Sequence, residues 1–139
     1  MTAEQAAAQF ELGKLLHDLD MRCAARMRDQ VSKIDLTVAQ ASALREMTRP
    51  MTLSELAGEM SCEPSNAIVV IDKLEKLRLV ERRPHPSDRR AKQLVLTSEG
   101  TALREKLLEV LNETPIFDGL TQEEQDALQE LLLRALSRR

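Results

Sequence analysis

The chain has 139 residues, of which 42% are hydrophobic and 31% charged, and its net charge is −3. This length predicts one globular domain, the composition excludes a disordered chain, and no apolar run is long enough to cross a membrane. Only Phe10 and Phe117 are aromatic, which argues against a platform that stacks single-stranded nucleic acid. Cys23 and Cys62 have neither disulfide nor zinc spacing, and we identify no secretory signal, so we expect a cytoplasmic protein.

The first predicted elements are helices. Apolar residues recur at steps of three and four from Phe10 to Met27, which predicts a helix over residues 3–30. Three threonines each precede a Gln or Glu by three residues, which is the spacing of a capping box at a helix start. Thr37, Thr52 and Thr121 thereby mark helices over about 38–47, 53–60 and 122–137.

A further helix is predicted to open at Pro64, because proline is favoured in the first helical turn. It runs to about Leu77, with an apolar inner stripe of Ala67, Val70, Ile71, Leu74 and Leu77.

The pattern then changes to two short strands. One begins at Leu79-Val80, the other covers residues 93–96, and a turn rich in Pro, Ser and Asp separates them, which predicts a β-hairpin. Residues 78–92 hold six basic groups against Glu81 and Asp88, a net charge of +4 in an otherwise acidic chain. Such a hairpin is either a phosphate-contacting element or a solvated charged loop. Thr97 then caps a helix over about 98–112.

Two short helices joined by a tight turn and followed by a basic hairpin predict a winged helix-turn-helix. The fold class is mainly α (α+β), with a two-stranded β-wing and flanking dimerisation helices. The recognition helix, about 64–77, suits the major groove of double-stranded DNA, and the wing, about 82–93, suits the minor groove. A two-fold dimer places two such helices on a palindromic operator.

Three regions are expected along the chain. Residues 1–34 form the N-terminal helix of the dimerisation region, residues 35–97 the DNA-binding lobe, and residues 98–139 the C-terminal dimerisation helices. The outer helices are rich in leucine and acidic, which suits a dimer interface remote from DNA. Expected dimerisation residues are Phe10, Leu12, Leu128 and Leu132.

The order and spacing of several motifs resemble the MarR family of transcriptional regulators over nearly the whole chain. The motifs are Leu36-Thr37-x-x-Gln40, Leu53-Ser54-Glu55-Leu56-Ala57, Glu63-Pro64-Ser65-Asn66, Asp72-Lys73-Leu74-Glu75, Leu79-Val80-Glu81-Arg82, Pro86-Ser87-Asp88-Arg89-Arg90-Ala91-Lys92, Leu96-Thr97-x-x-Gly100 and Leu120-Thr121-x-Glu123-Glu124.

The resemblance implies an obligate homodimer that represses a promoter through a palindromic operator. In many members a small-molecule effector, often an aromatic anion, lowers the affinity for DNA. The resemblance also implies that Asp88 holds an arginine by a charge pair and that an arginine enters the minor groove. Arg90 is favoured for that role, with Arg89 as the alternative.

The recognition helix departs from the family pattern, because Ile68 and Val69 stand where Thr and Arg often occur. Fewer hydrogen-bonding groups are then available, so we hypothesise that this protein depends more on its wing and on DNA shape. Ile68 or Val69 suits a thymine methyl group. The expected DNA-binding residues are Ser65, Asn66, Ile68, Val69, Lys73, Arg82, Asp88, Arg89, Arg90 and Lys92.

Two positions beside the recognition helix also depart from the pattern. Arg78 occupies a position that is usually Gly, so we expect either a left-handed conformation or a different helix end. Glu63 replaces a small residue before Pro64, where a carboxylate suits the helix N-terminus but repels phosphate.

Other functions compete with this interpretation. A cysteine-based redox sensor needs an exposed thiolate, whereas Cys23 lies on an apolar stripe and Cys62 matches a core position, so both are predicted to be buried. A winged-helix protein-interaction module leaves the basic wing unexplained. No nucleophile–base set, phosphate loop or metal-ligand cluster is found, so no enzyme, cofactor or metal site is predicted.

Two histidines and a ligand site remain to be assigned. His17 is expected to be a packed or interfacial residue, and His85 a solvated loop residue or a phosphate contact. The family's pocket lies between the dimerisation helices and the DNA-binding lobe. By position, the candidate ligand-binding residues are Leu16, Asp20, Met47 and Leu53.

Overall fold

The computed structural model describes residues 1–138, which form six helices and one antiparallel pair of strands. The elements are α1 (Ala3–Ser32), α2 (Val38–Glu46), α3 (Leu53–Glu59), α4 (Pro64–Lys76), β1 (Val80–Pro84), β2 (Lys92–Leu96), α5 (Ser98–Asn112) and α6 (Gln122–Ser137). The predicted fold class is confirmed, and every predicted boundary lies within two residues of the observed one. Within this described part, no helix combines the length and apolar character needed to cross a membrane.

Side-chain caps set the N-termini of most helices. At Thr37, Thr52 and Thr121 the hydroxyl accepts a hydrogen bond from the N–H three residues later, and the Gln or Glu there accepts from the threonine N–H. The three predicted capping boxes are therefore confirmed. A fourth box, which was not predicted, joins Thr2 and Gln5 at the start of α1. An N-cap of this kind contributes about 1 kcal/mol to stability.

One apolar core joins α2, α3, α4, α5, the end of α1 and the base of the wing. Its most buried large side chains include Leu44, Leu56, Ile71, Leu74 and Leu107. The predicted inner stripe of α4 is confirmed at Ala67, Ile71 and Leu74, and Val70 is half-buried.

Leu77 does not belong to that stripe, so its predicted burial is wrong. Leu77 is 58% exposed because it follows the last helical residue of α4 as the C-cap. The chain then reverses at Arg78, whose φ of 62° is left-handed, the first of the two alternatives expected there.

The base of the wing is closed against the start of α5. The Thr97 hydroxyl donates to the carbonyl oxygen of Arg78 at 2.7 Å and accepts from the N–H of Gly100 at 3.0 Å. A Cβ on Gly100 would lie 2.0 Å from the backbone oxygen of Leu79, so only glycine permits this approach. The left-handed turn and the close packing together hold the two strands beside α4.

A backbone bridge that was not predicted pairs a third segment of the chain with the hairpin. Met51 and Leu94 exchange both backbone hydrogen bonds, at 3.2 and 2.7 Å. Both residues are buried, at 1% and 3% exposed, so the bridge ties the segment before α3 to β2.

Candidate nucleic-acid interface

Helix α4 turns one face to the core and the other to solvent. Ala67 and Ile71 are buried, whereas Ser65, Asn66 and Lys73 are exposed. Val69 is 54% exposed on the outer side, while Ile68 is half-buried. Of the two candidates for contact with a thymine methyl group, Val69 is therefore the more accessible.

The wing places cationic side chains at its far end. The two strands pair from Val80↔Leu96 at the base to Pro84↔Lys92 at the tip, and residues 85–91 connect them. Arg89, Arg90 and Lys92 are all exposed, and none of them forms an ion pair within residues 1–138. Their charges are therefore available to an anionic partner.

Asp88 organises the wing tip through the backbone. Its Oδ1 accepts a hydrogen bond from the N–H of Arg90 at 3.0 Å. The side-chain charge pair that the family resemblance implied for Asp88 is not formed among the described residues. An aspartate that accepts from the N–H two residues on forms an Asx-turn, which shapes the backbone at that point.

His85 also lies in the loop at the wing tip. Its ring is half-buried, and Nδ1 lies 3.1 Å from both the Ser87 and the Asp88 backbone nitrogens. His85 is thus a partly exposed loop residue, and its ring also caps two backbone amides, which was not predicted. His17, in contrast, is exposed on α1 and is not packed within the chain.

Arg82 connects the wing to α4. Its Nη2 lies 2.5 Å from Asp72 Oδ1 and its Nε lies 3.4 Å from Glu75 Oε1, and the side chain is only 34% exposed. Arg82 was predicted to contact DNA, yet its guanidinium is directed at the two carboxylates. Sequence reasoning missed the roles of Asp72 and Glu75, although an acidic pair three residues apart on one helix face is a usable signal.

The start of α3 carries a polar cluster next to the helix-turn-helix. The pKa of the Glu55 carboxyl is held below its ordinary value, first because the Thr52 backbone and hydroxyl groups hydrogen-bond to this residue. The Arg49 guanidinium, 3.1 Å from Glu55 Oε2, lowers the pKa further. At the start of α4, Glu63 forms no side-chain cap.

A cavity lies between α1, the end of α5 and the segment that leads to α6. Its volume is about 820 Å³, and Arg26, Arg45 and Phe117 contribute to the lining. Thr114 Oγ1 in the same wall is buried without a hydrogen-bond partner. Of the four predicted ligand-binding residues, only Asp20 borders this cavity. Elsewhere in the molecule lie Leu16, which is exposed, and Met47 and Leu53, which pack in the core.

Both cysteines are more accessible than expected. Cys23 and Cys62 are half-buried, so the prediction of two buried thiols is wrong. Cys23 borders the cavity, because α1 joins the apolar core only beyond it, at Met27 and Val31. In residues 1–138, no three His, Cys, Asp or Glu side chains cluster closely enough to hold a metal ion.

The outer helices expose many apolar side chains. Residues 1–18 are exposed throughout, and α6 has no buried residue. Phe10 and Leu12 are 76% and 61% exposed, whereas Leu128 and Leu132 are half-buried. Other exposed apolar residues on these helices are Leu15, Leu16, Met21, Leu131, Leu133 and Leu136.

Known proteins are similar to this chain in sequence and in fold. The family model described as the MarR family matches residues 36–92, which span α2 to the wing. The HTH-type transcriptional regulator YsmB of Bacillus subtilis is 31% identical over 138 residues, which cover 96% of this chain and 94% of YsmB.

Solved structures of two regulators superpose on the chain. A cysteine-to-serine mutant of MarR from Escherichia coli, complexed with operator DNA, is 27% identical with a TM-score of 0.78. BpsR from Bordetella bronchiseptica, whose DNA binding is regulated by 6-hydroxynicotinic acid, is 25% identical with a TM-score of 0.76. Each comparison covers 91% of this chain and 94% of the other.

Proposed function

The chain belongs to the MarR family of DNA-binding transcriptional regulators, and we propose that it is a homodimeric repressor that recognises a palindromic operator. The observation that carries the proposal is the contact of Arg82 with Asp72 and Glu75. This contact joins α4 and the wing into one unit that exposes uncommitted cationic groups at its far end.

The two parts of this unit suit the two grooves of B-DNA. The major groove is wide enough to admit a helix, so Ser65 and Asn66 near the start of α4 can reach base edges. Lys73 adds a phosphate contact. The minor groove is narrower and more negative where A·T pairs predominate, so it favours an inserted guanidinium from Arg89 or Arg90.

Dimerisation is supported by the apolar surface of the outer helices. Monomeric proteins rarely expose contiguous apolar patches of more than a few hundred Å². The first half of α1 and most of α6 have no cover within the chain, and both carry apolar residues at helical spacing. A second copy supplies the same two helices, and it also brings the second recognition helix that a palindrome requires.

An effector site is the remaining part of the proposal. The cavity beside Arg26 and Arg45 adjoins α2, which packs against both α4 and α5. A ligand there would contact the outer helices and the DNA-binding lobe together. The regulation of BpsR by 6-hydroxynicotinic acid supports a small anion as the first class to screen.

Site selection from a random DNA library provides the test. The purified protein is offered random duplexes, and the enriched sequence is then compared with a scrambled duplex by fluorescence anisotropy at two salt concentrations. The proposal predicts a palindromic sequence, tighter binding to it, and a log–log salt slope of about −0.9 for each neutralised phosphate. Equal binding to both duplexes, or no enrichment of a palindrome, would contradict it.

The dimer has a separate test. Light scattering of the wild-type protein is expected to give twice the mass of one chain. Leu12→Asp together with Leu132→Asp is expected to lower that mass without loss of helical signal, whereas Ser54→Asp on α3 leaves it unchanged. A wild-type monomer at micromolar concentration would rule out the dimeric arrangement.

A further inference from the structure

The tip of the wing has more internal structure than its exposure suggests. Residues 85–91 contribute no fully buried side chain. Two backbone hydrogen bonds nevertheless cross the loop, from the His85 N–H to the Ala91 oxygen and from the Ala91 N–H to the Asp88 oxygen, both at 3.2 Å. An exposed loop with so few contacts depends on each of its polar interactions.

The His85 imidazole is the centre of these interactions. The Ser87 and Asp88 nitrogens each lie 3.1 Å from Nδ1, and the Ser87 hydroxyl oxygen lies 3.3 Å from the same atom. Backbone N–H groups are obligatory donors, so Nδ1 must act as the acceptor. A neutral ring can accept at Nδ1 only if its proton is on Nε2.

A second cap follows directly. Asp88 Oδ1 accepts from the Arg90 N–H at 3.0 Å, so the N–H groups of residues 87, 88 and 90 are all bound by side chains of the same loop. The side chains of Arg89 and Arg90 extend from the backbone within this capped stretch. The turn that His85 and Asp88 maintain therefore sets the backbone positions from which these two side chains start.

We propose that His85 is a positioning residue for DNA binding, whose Nδ1 caps the Ser87 and Asp88 amides and so orients Arg89 and Arg90 towards the minor groove. This inference rests on the proposed function for its DNA part, whereas the cap itself is a property of the free protein. It differs from a direct role, in which the ring donates from Nε2 to a phosphate.

Two substitutions separate these roles, because each retains one of the two ring positions. In His85→Asn the amide oxygen occupies the δ position of the imidazole acceptor, and Asn readily caps the amides that follow it. In His85→Gln an amide NH₂ takes the place of the Nε2 donor, and the δ acceptor is lost. His85→Ala removes both groups.

The free protein is tested first, by NMR measurement of amide hydrogen exchange. Exchange at Ser87 and Asp88 is expected to accelerate by about 3- to 10-fold in His85→Ala and His85→Gln, the loss of one modest hydrogen bond. His85→Asn is expected to match the wild type, and the wild-type imidazole to carry its proton on Nε2. Equal exchange in all four proteins, or a proton on Nδ1, would overturn the cap.

DNA binding is tested next, by anisotropy on the duplex that the wild-type protein selects from a random library. His85→Ala and His85→Gln are expected to weaken binding by about 3- to 10-fold, with an unchanged salt slope, and His85→Asn to restore it. Retained affinity in His85→Gln, with loss in His85→Asn and a slope lower by about 0.9, would identify a phosphate contact instead. Faster exchange without weaker binding would overturn the positioning role.

The two proposals fail in different ways. If the wild-type protein selects no DNA, the proposed function fails and the DNA part of this inference fails with it. The exchange rates of the free protein still decide whether His85 caps the wing.

Discussion

Helix α4 and the wing are placed by different forces, and they offer DNA different groups. The inner face of α4 is fixed by buried apolar residues such as Ile71 and Leu74, but its outer face presents Val69 where a hydrogen-bonding residue is common in the family. Apart from Leu94, the wing beyond Val80 has no buried side chain, and it exposes Arg89, Arg90 and Lys92. The outer face of α4 thus has fewer hydrogen-bonding groups than the family pattern, whereas the tip of the wing is rich in positive charge.

This difference suggests how affinity is divided. Apolar packing holds α4 in place, whereas the position of the wing depends on backbone pairing, on side-chain caps and on Arg82. We therefore expect charge in the wing to supply more of the affinity than hydrogen bonds from α4.

The largest effect is expected from the wing arginines. Arg90→Ala should weaken binding to the selected duplex by about 1–3 kcal/mol, because it removes a guanidinium from the minor groove. Asn66→Ala should cost less, and Arg28→Ala on α1 is the control for loss of one arginine charge. Anisotropy titrations measure all three, and a far larger loss from Asn66→Ala would reverse the proposed division.

A smaller effect is expected where the two elements meet. Arg82→Ala should weaken DNA binding by about 1 kcal/mol with an unchanged salt slope, since a partly exposed ion pair contributes little by itself. Arg83→Ala is a matched control, because Arg83 lies on the same strand and pairs with Glu81 at 3.0 Å.

A double-mutant cycle on Arg82 and Asp72 measures the link itself. Coupling between Arg82→Ala and Asp72→Asn in DNA affinity would support the positioning role. If Arg82→Ala instead lowers the salt slope by about 0.9, Arg82 contacts a phosphate directly, as its sequence position first suggested.

The apolar part of the contribution of α4 is expected to be small. Replacing the thymine that faces Val69 by deoxyuridine removes one methyl group, which should cost the wild-type protein about 0.8 kcal/mol. Val69→Ala should bind both duplexes alike, and Ile68→Val should retain the wild-type preference because Ile68 is half-buried. If deoxyuridine leaves the affinity unchanged at every thymine position of the half-site, Val69 does not recognise a methyl group.

The smallest effect concerns α3, which supports α4 in the helix-turn-helix. The pKa of Glu55 is lowered in the folded protein by the Thr52 backbone, the Thr52 hydroxyl and Arg49, so the folded state favours the ionised carboxyl. Its stabilisation is therefore present above the ordinary value of 4.5 and is lost as pH falls through the lowered pKa. Thermal melts should show less loss of Tm on acidification in Glu55→Gln than in the wild type; identical profiles would contradict this assignment.

Local signals in the sequence were enough to predict the helices. Capping boxes at Thr37, Thr52 and Thr121 involve residues three apart, so they appear directly in the sequence. The left-handed turn at Arg78 was expected as one of two alternatives, because the family resemblance places a glycine at this position.

The long-range and turn contacts were not predictable in this way. The pairing of Arg82 with Asp72 and Glu75 depends on how β1 crosses α4, and the Met51–Leu94 bridge joins segments far apart in the chain. The role of His85 depends on a backbone turn that brings two amides to one nitrogen. The ligand-site prediction was limited for the same reason, since only Asp20 reaches the cavity.

Base analogues in the selected duplex test the central claim most directly. In the A·T-rich segment that the wing is proposed to contact, 2,6-diaminopurine adds an amino group to the minor groove and leaves the major-groove groups of adenine in place. In the bases that face α4, 7-deazaadenine removes a major-groove acceptor and leaves the minor groove unchanged. We predict that diaminopurine weakens binding more than 7-deazaadenine does; the opposite order would show that the recognition helix, and not the wing, supplies most of the affinity.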